Sequence, residues 1–180
     1  MLNRSEMMDE DEESLLSQRG LERRRGRSGL DRPGHYNSYS VAPVFASAAA
    51  MGQTFIRVEF APNGYLPPHR HRRASEIIYI LEGTMEVGFV TSYPAYKYYS
   101  KVLNKGDAIM IPFGLVHTVR NVASEKCVIT VSFKSQNPGF IYMPDSVFTA
   151  KPAINSTYLA GAFKLDEKTV KDLQTKMWYI

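Results

Sequence analysis

A chain of 180 residues, 44% hydrophobic and 22% charged, has the size and polarity of one globular domain, which excludes a wholly disordered or collagen-like polymer. No apolar run approaches the roughly 20 residues a bilayer-spanning helix needs. The net charge of +4 is uneven, because residues 1–32 carry seven Arg against eight acidic residues and leave +5 on the remainder, and the lone Cys127 excludes an intrachain disulfide or a cysteine zinc ribbon.

Residues 1–40 are expected to form a disordered charged arm. The acidic run Asp9–Glu13 is followed by an Arg/Gly run from Arg19 to Gly29, and almost no aliphatic side chain is available to order it. The arm lacks the basic start, apolar stretch and small-residue cleavage site of a signal peptide, and Val41–Met51 is too short and Pro-interrupted to serve as a signal core. The run Arg23-Arg24-Arg25-Gly26-Arg27 has no basic stripe or recognition motif to support it in the folded part, so no nucleic-acid partner is expected.

From Gln53 onward, short apolar or alternating runs are separated by turn residues, the pattern of an antiparallel sandwich or barrel. The pattern predicts strands over 54–60, 76–81, 85–91, 100–103, 108–111, 117–122 and 127–133. Turns are expected at Pro62-Asn63-Gly64, Glu82-Gly83, Asn104–Asp107, Pro112-Phe113-Gly114 and Ala123-Ser124-Glu125. After Pro152 the texture becomes helical. Asn155 or Ser156 can cap one short helix, and Asp166 a second that carries Val170, Leu173 and Met177 on one face.

The chemistry is concentrated in two blocks. His69-Arg70-His71 places two imidazoles on one face of a strand, because residues i and i+2 point the same way. Glu76 opens the next strand, where a short connection can return its carboxylate to the same spot. The second block, Gly106, Pro112, Gly114, His117 and Asn121, reads as turn, strand, tight turn, strand, and an antiparallel neighbour can bring His117 beside the other two. Three neutral imidazoles and a carboxylate suit a divalent first-row metal with two open coordination positions. This ligand set leaves manganese, iron, nickel and zinc open, although zinc would exclude redox turnover.

These two blocks, with Ser132–Gly139, Phe148–Pro152 and the closing helices, make the chain resemble the plant germin-like proteins of the cupin superfamily over roughly residues 50–178. The resemblance implies an all-β fold, a jelly-roll barrel of six to eight strands with C-terminal α-helices. It divides the chain into the arm 1–40, a cupin barrel 41–152 and a helical oligomerisation segment 153–180. It further implies manganese, Mn(2+), held by His69, His71, Glu76 and His117, and a homohexamer built as a trimer of dimers. Family members are secreted glycoproteins of the apoplast, and Asn155-Ser156-Thr157 is an acceptable glycosylation sequon. The activity implied is superoxide dismutation or related oxygen chemistry on a small anionic substrate, with a role in plant defence. The alternative is a metal-braced binding, receptor or structural cell-wall protein without catalysis.

The chain departs from the family in three places. Asn63 stands where the first glycine of the pattern is expected, and the N-terminal cysteine pair and signal peptide are not visible. Ile56 and Leu66 stand where oxalate-oxidising germins have asparagines that contact the acid. Losing each such hydrogen bond costs about 1–3 kcal/mol, so oxalate oxidation is not expected. Among the remaining residues, Arg70, Arg72 and Arg73 are read either as solvated charges or as steering groups for an anion, with Arg73 able to pair between subunits. Tyr93, Tyr96, Tyr98 and Tyr99 form an inter-strand cluster, read as loop packing or as a stacking surface, and Asn121 is a candidate for fixing a histidine tautomer.

Overall fold

The computed structural model describes residues 39–43 and 52–176. The charged arm therefore lies outside the described residues apart from its last two positions. In chain order the described elements are β1 (Tyr39–Pro43), β2 (Thr54–Phe60), β3 (Tyr65–His71), β4 (Glu76–Glu82), β5 (Thr84–Val90), β6 (Tyr98–Asn104), β7 (Ala108–Ile111), β8 (His117–Asn121), β9 (Cys127–Phe133), β10 (Phe140–Tyr142), α1 (Met143–Phe148), α2 (Ser156–Phe163) and α3 (Glu167–Thr175). Two five-stranded sheets, β1-β2-β9-β4-β7 and β10-β3-β8-β5-β6, face each other as a jelly-roll. Ten strands are described, against the six to eight that the resemblance implies; β1 and the three-residue β10 lie outside the runs predicted from alternation.

Alternation builds the core. In β9 the inward side chains Cys127, Ile129, Val131 and Phe133 are buried, and they meet Val58 and Phe60 of β2, Ile78 and Ile80 of β4, and Met85 and Val87 of β5. Each large side chain buried in this way contributes about 1.5–3 kcal/mol. Gly83 connects β4 to β5 at φ +83°, and a Cβ there would stand 2.9 Å from Cα of Cys127. Only glycine serves both the turn and this approach.

Strand β3 runs between β10 and β8, an internal position that proline normally avoids. Pro67 and Pro68 are tolerated because the β3–β8 register shifts between Leu66 and His69, so the ladder is interrupted where their N–H groups are missing. The same irregularity lets Leu66 and His69, an odd number of residues apart, both turn inward.

The helices follow their caps. Asn155 accepts a 2.8 Å hydrogen bond from the Tyr158 N–H to start α2, and Asp166 accepts one of 2.8 Å from Thr169 to start α3. Leu159 and Val170 are buried, Phe163 of α2 meets Phe148 of α1 at 5.5 Å between rings, and Met177 lies outside the described residues.

Candidate metal centre

Four buried polar side chains converge inside the barrel. His69 and His71 descend from β3, His117 from its neighbour β8, and Glu76 crosses from β4 of the opposite sheet. Their exposures are 1%, 2%, 0% and 4%. One donor atom from each lies within 4.8 Å of all the others, so the structure brings all four together.

Local backbone fixes two of the rings. His69 Nδ1 donates to the carbonyl of Pro67 at 2.8 Å, and His117 Nδ1 donates to the carbonyl of Leu115 at 3.0 Å. A carbonyl oxygen can only accept, so each neutral ring carries its proton on Nδ1 and leaves a bare lone pair on Nε2. Glu76 Oε2 stands 2.9 Å from Nε2 of His117 and 3.2 Å from Nε2 of His71, yet neither contact has hydrogen-bond geometry. Both nitrogens of His71, Nε2 of His117 and Oε2 of Glu76 are buried without a hydrogen-bond partner. Buried electron-rich atoms at such distances form a pocket suited to a cation among them. The donor set of three imidazoles and one carboxylate fits a first-row divalent metal.

The electrostatics follow from burial and crowding. Burial, and next the neighbouring His117, pushes the His69 pKa down to about 3, so this ring stays neutral. For Glu76, burial acts upward, and positive charge held at the His117 and His71 rings outweighs it, holding the carboxyl at about 2. The site therefore keeps an ionised carboxylate beside a neutral His69 over the ordinary pH range.

Aromatic rings surround the ligands. Phe133 packs at 4.5 Å and Phe140 at 4.3 Å from the His71 ring, while Tyr142 lies 5.5 Å from His69. Phe140 is 43% exposed, so it reaches from solvent to the ligand rings. Phe140 and Tyr142 are absent from the sequence reading; they arrive opposite His71 and His69 through the β10–β3 pairing. The alternation Phe140-Ile141-Tyr142 after Pro138-Gly139 is the only signal, and three residues are too few to show a period.

Other expectations change. Asn121 does not touch a histidine. Its amide donates to the carbonyls of Ala61 at 2.9 Å, Glu125 at 2.7 Å and Phe60 at 3.4 Å, and its oxygen accepts from the Ala123 N–H at 2.9 Å. It is a buried staple for two turns. Arg73 spends its guanidinium within the chain, on the carbonyl of Asn137 at 2.8 Å and on the Asn137 side chain. Arg70 and Arg72 are exposed. Ile56 and Leu66 pack against the core, and with Val119 they give the interior an aliphatic wall without hydrogen-bond donors.

The cupin family model matches residues 41–171. Germin-like protein subfamily 1 member 10 of Arabidopsis thaliana is 45% identical over 126 residues, which is 70% of this chain and 56% of the relative. Putative germin-like protein 2-3 of Oryza sativa subsp. japonica is 44% identical over 156 residues, 83% of this chain and 70% of the relative. Among solved structures, oxalate oxidase in complex with the substrate analogue glycolate superposes with TM-score 0.73 at 33% identity, over 79% of this chain and 73% of that one. The chain spans a little over half the length of the Arabidopsis relative.

Proposed function

Because this chain belongs to the germin-like proteins of the cupin family, we propose that it is a manganese-binding protein in which His69, His71, Glu76 and His117 hold the ion and a superoxide-sized anion is the substrate. The observation that carries this reading is the bare Nε2 of His117 facing Glu76 Oε2 at 2.9 Å in a fully buried site. Manganese in such a ligand set supplies one-electron exchange between two oxidation states, which zinc cannot.

The chain's own residues account for selectivity. The Pro67 and Leu115 carbonyls orient two rings, and Phe133 and Phe140 restrict water around His71. Ile56, Leu66 and Val119 offer nothing to pair with a bound dicarboxylate, which disfavours oxalate. A small anion that needs no side-chain partners loses nothing against such a wall.

A second reading, a metal-braced binding, receptor or structural cell-wall protein, draws support from the same aliphatic wall, which offers a substrate no hydrogen-bond partner. Elemental analysis of the purified native protein, followed by superoxide dismutation assays on wild type, His117→Ala and Glu76→Gln, separates the two. Stoichiometric manganese with activity lost in both variants supports the catalytic reading. Zinc, or manganese without turnover, supports the bracing one, and no stoichiometric metal overturns both.

The proposal extends to assembly and location. The outer face of β4 and β7 exposes Ile77, Tyr79, Leu81 and Met110, with Ile77 directly opposite Met110, an apolar surface suited to subunit contact. We infer a homohexamer, with segment 153–180 contributing to its contacts through exposed Tyr158, Phe163 and Leu165. Secretion to the apoplast with glycosylation at Asn155 is consistent with that side chain's exposure, since the helix cap engages its oxygen and the glycan takes its nitrogen. No described helix is long and apolar enough to cross a membrane.

A further inference from the structure

The outer face of the β3-β8-β5-β6 sheet, the side opposite the metal ligands, carries a shallow groove of about 250 Å³ lined in part by Tyr65, Pro68, Glu86, Tyr98, Thr118 and Arg120. Its organising feature is Tyr98. Gly88 of β5 leaves a gap in the sheet surface, and the Tyr98 ring lies in it: a Cβ on Gly88 would stand 2.6 Å from Cε2 and Cζ of that ring. The Tyr98 hydroxyl shares a 2.8 Å hydrogen bond with Thr118 Oγ1. The hydroxyl end of the ring is thus held both by its seat on Gly88 and by its hydrogen bond, while the residue remains 48% exposed. Such an aromatic surface is immobilised before any ligand arrives, so little side-chain entropy remains to be lost on binding.

The polar groups beside it are equally fixed. Arg120 donates to Glu86 Oε2 through Nε at 3.1 Å and through Nη2 at 2.6 Å, which pairs the two charges and leaves the second carboxylate oxygen and other guanidinium N–H groups to meet a ligand. Flat ring, fixed carboxylate, fixed guanidinium and hydroxyls, with no net charge, match a polyol that shows an apolar C–H face and pairs of adjacent hydroxyls. They match neither an anion nor a cation. Three of the four strands under the groove, β3, β8 and β5, are paired on both sides, so most of its floor offers side chains rather than backbone to a ligand. We propose that this groove binds neutral pyranose chains, with Tyr98 as the stacking platform and the Glu86–Arg120 pair as the hydroxyl reader. Tyr93 and Tyr96, 6.1 Å apart between rings on the turn leading into β6, are exposed as well.

The test is saturation-transfer NMR and calorimetry on the full chain with cellopentaose and xylopentaose as neutral probes and trigalacturonate as an acidic one. Wild type is expected to bind a neutral probe saturably. Tyr98→Ala and Gly88→Val, which removes the ring's seat, should each weaken binding at least tenfold, and Tyr98→Phe, which removes only the pin to Thr118, severalfold. Arg120→Gln, an exposed change that leaves the sheet intact, should weaken binding and keeps the test decisive if a glycine or tyrosine variant fails to fold. Metal content and melting temperature serve as fold controls. Three results overturn the proposal: no saturable binding of either neutral probe, binding of trigalacturonate alone, or neutral binding undiminished in Tyr98→Ala and Arg120→Gln. A fourth is a fall in sedimentation mass in Arg120→Gln, which would make the groove a subunit interface.

Discussion

Replacing Glu76 with glutamine should move the metal-free and metal-loaded proteins in opposite directions. In the metal-free site the carboxylate presses Oε2 against the bare Nε2 of His117 at 2.9 Å and lies 3.2 Å from that of His71. A glutamine amide of the same shape can turn an N–H toward one of those lone pairs and removes a charge buried to 4% exposure. Relief of an unpaired buried group is worth about 1–3 kcal/mol, so metal-free Glu76→Gln should melt no lower than metal-free wild type in mildly alkaline buffer.

The loaded proteins should show the reverse. An ion at a hundred times its dissociation constant stabilises the folded state by about 2.7 kcal/mol, roughly 10 °C for a domain of this size. Loss of even an outer partner of a metal ligand costs 10–100-fold in affinity, and loss of the only charged ligand costs at least the upper figure. The same metal concentration then sits near the dissociation constant, where stabilisation falls to about 0.4 kcal/mol, or some 1–2 °C. Differential scanning fluorimetry of chelated and manganese-reconstituted protein reads both effects. An equal metal-induced shift in the two proteins, or a metal-free variant that melts well below metal-free wild type, would show that the four side chains are held together by something other than the need for a cation.

Further outcomes follow from the same geometry. His69 has its pKa lowered to about 3 from 6.5, so the unfolded chain takes up the proton first, and its contribution to metal-free stability should be complete above about pH 6.5 and fall toward pH 3. A melting temperature of chelated protein that stays flat from pH 7 to pH 4 contradicts this. Burial, with a smaller contribution from Glu82, raises the Cys127 thiol to about 11 from 9.0. Thiol reagents at about pH 8 should therefore leave native protein unmodified and titrate one thiol after denaturation, and stability should decline as pH rises from 9 toward 11. Asn121→Leu strips partners from the carbonyls of Ala61 and Glu125 and from the Ala123 N–H, and should cost about 3 kcal/mol by urea unfolding. It should leave metal affinity unchanged in the folded protein, in contrast to a residue that orients a ligand ring.

The parts of the fold that were legible in the sequence are those in which one side chain dictates one feature. Alternation delivers β2, β7 and β9 at their observed bounds, and Asn155 and Asp166 cap the helices they precede. The ligand residues were legible because the i, i+2 rule on one strand and a short return to Glu76 are local statements. What escaped depends on pairing across the chain. The strand that carries His69 and His71 was expected, but its start at Tyr65 was not, because the tandem prolines hide the alternation until the register shift with β8 explains them. The staple role of Asn121 depends on carbonyls sixty residues away in sequence, and Arg73 meets Asn137 across a similar separation. No period or motif encodes such contacts, and only the assembled sheets reveal them.

The division of labour between the two sheets explains how the site can be both ordered and reactive. His69 and His117 are cross-strand partners on one sheet, and each is oriented by the carbonyl two residues earlier in sequence, Pro67 within β3 and Leu115 in the turn that leads into β8. Their tautomers are therefore fixed by local backbone, independent of the rest of the barrel. Glu76 arrives from the facing sheet, positioned by its pairing with Phe133 and Ile111. The negative charge meets the lone pairs only when the two sheets close, so a cation bound there joins the two layers of the jelly-roll. The bracing and catalytic readings thus share one origin: the energy an ion contributes by holding the sheets together is also what keeps three neutral imidazoles and one carboxylate in an arrangement that two sheets without it would resist.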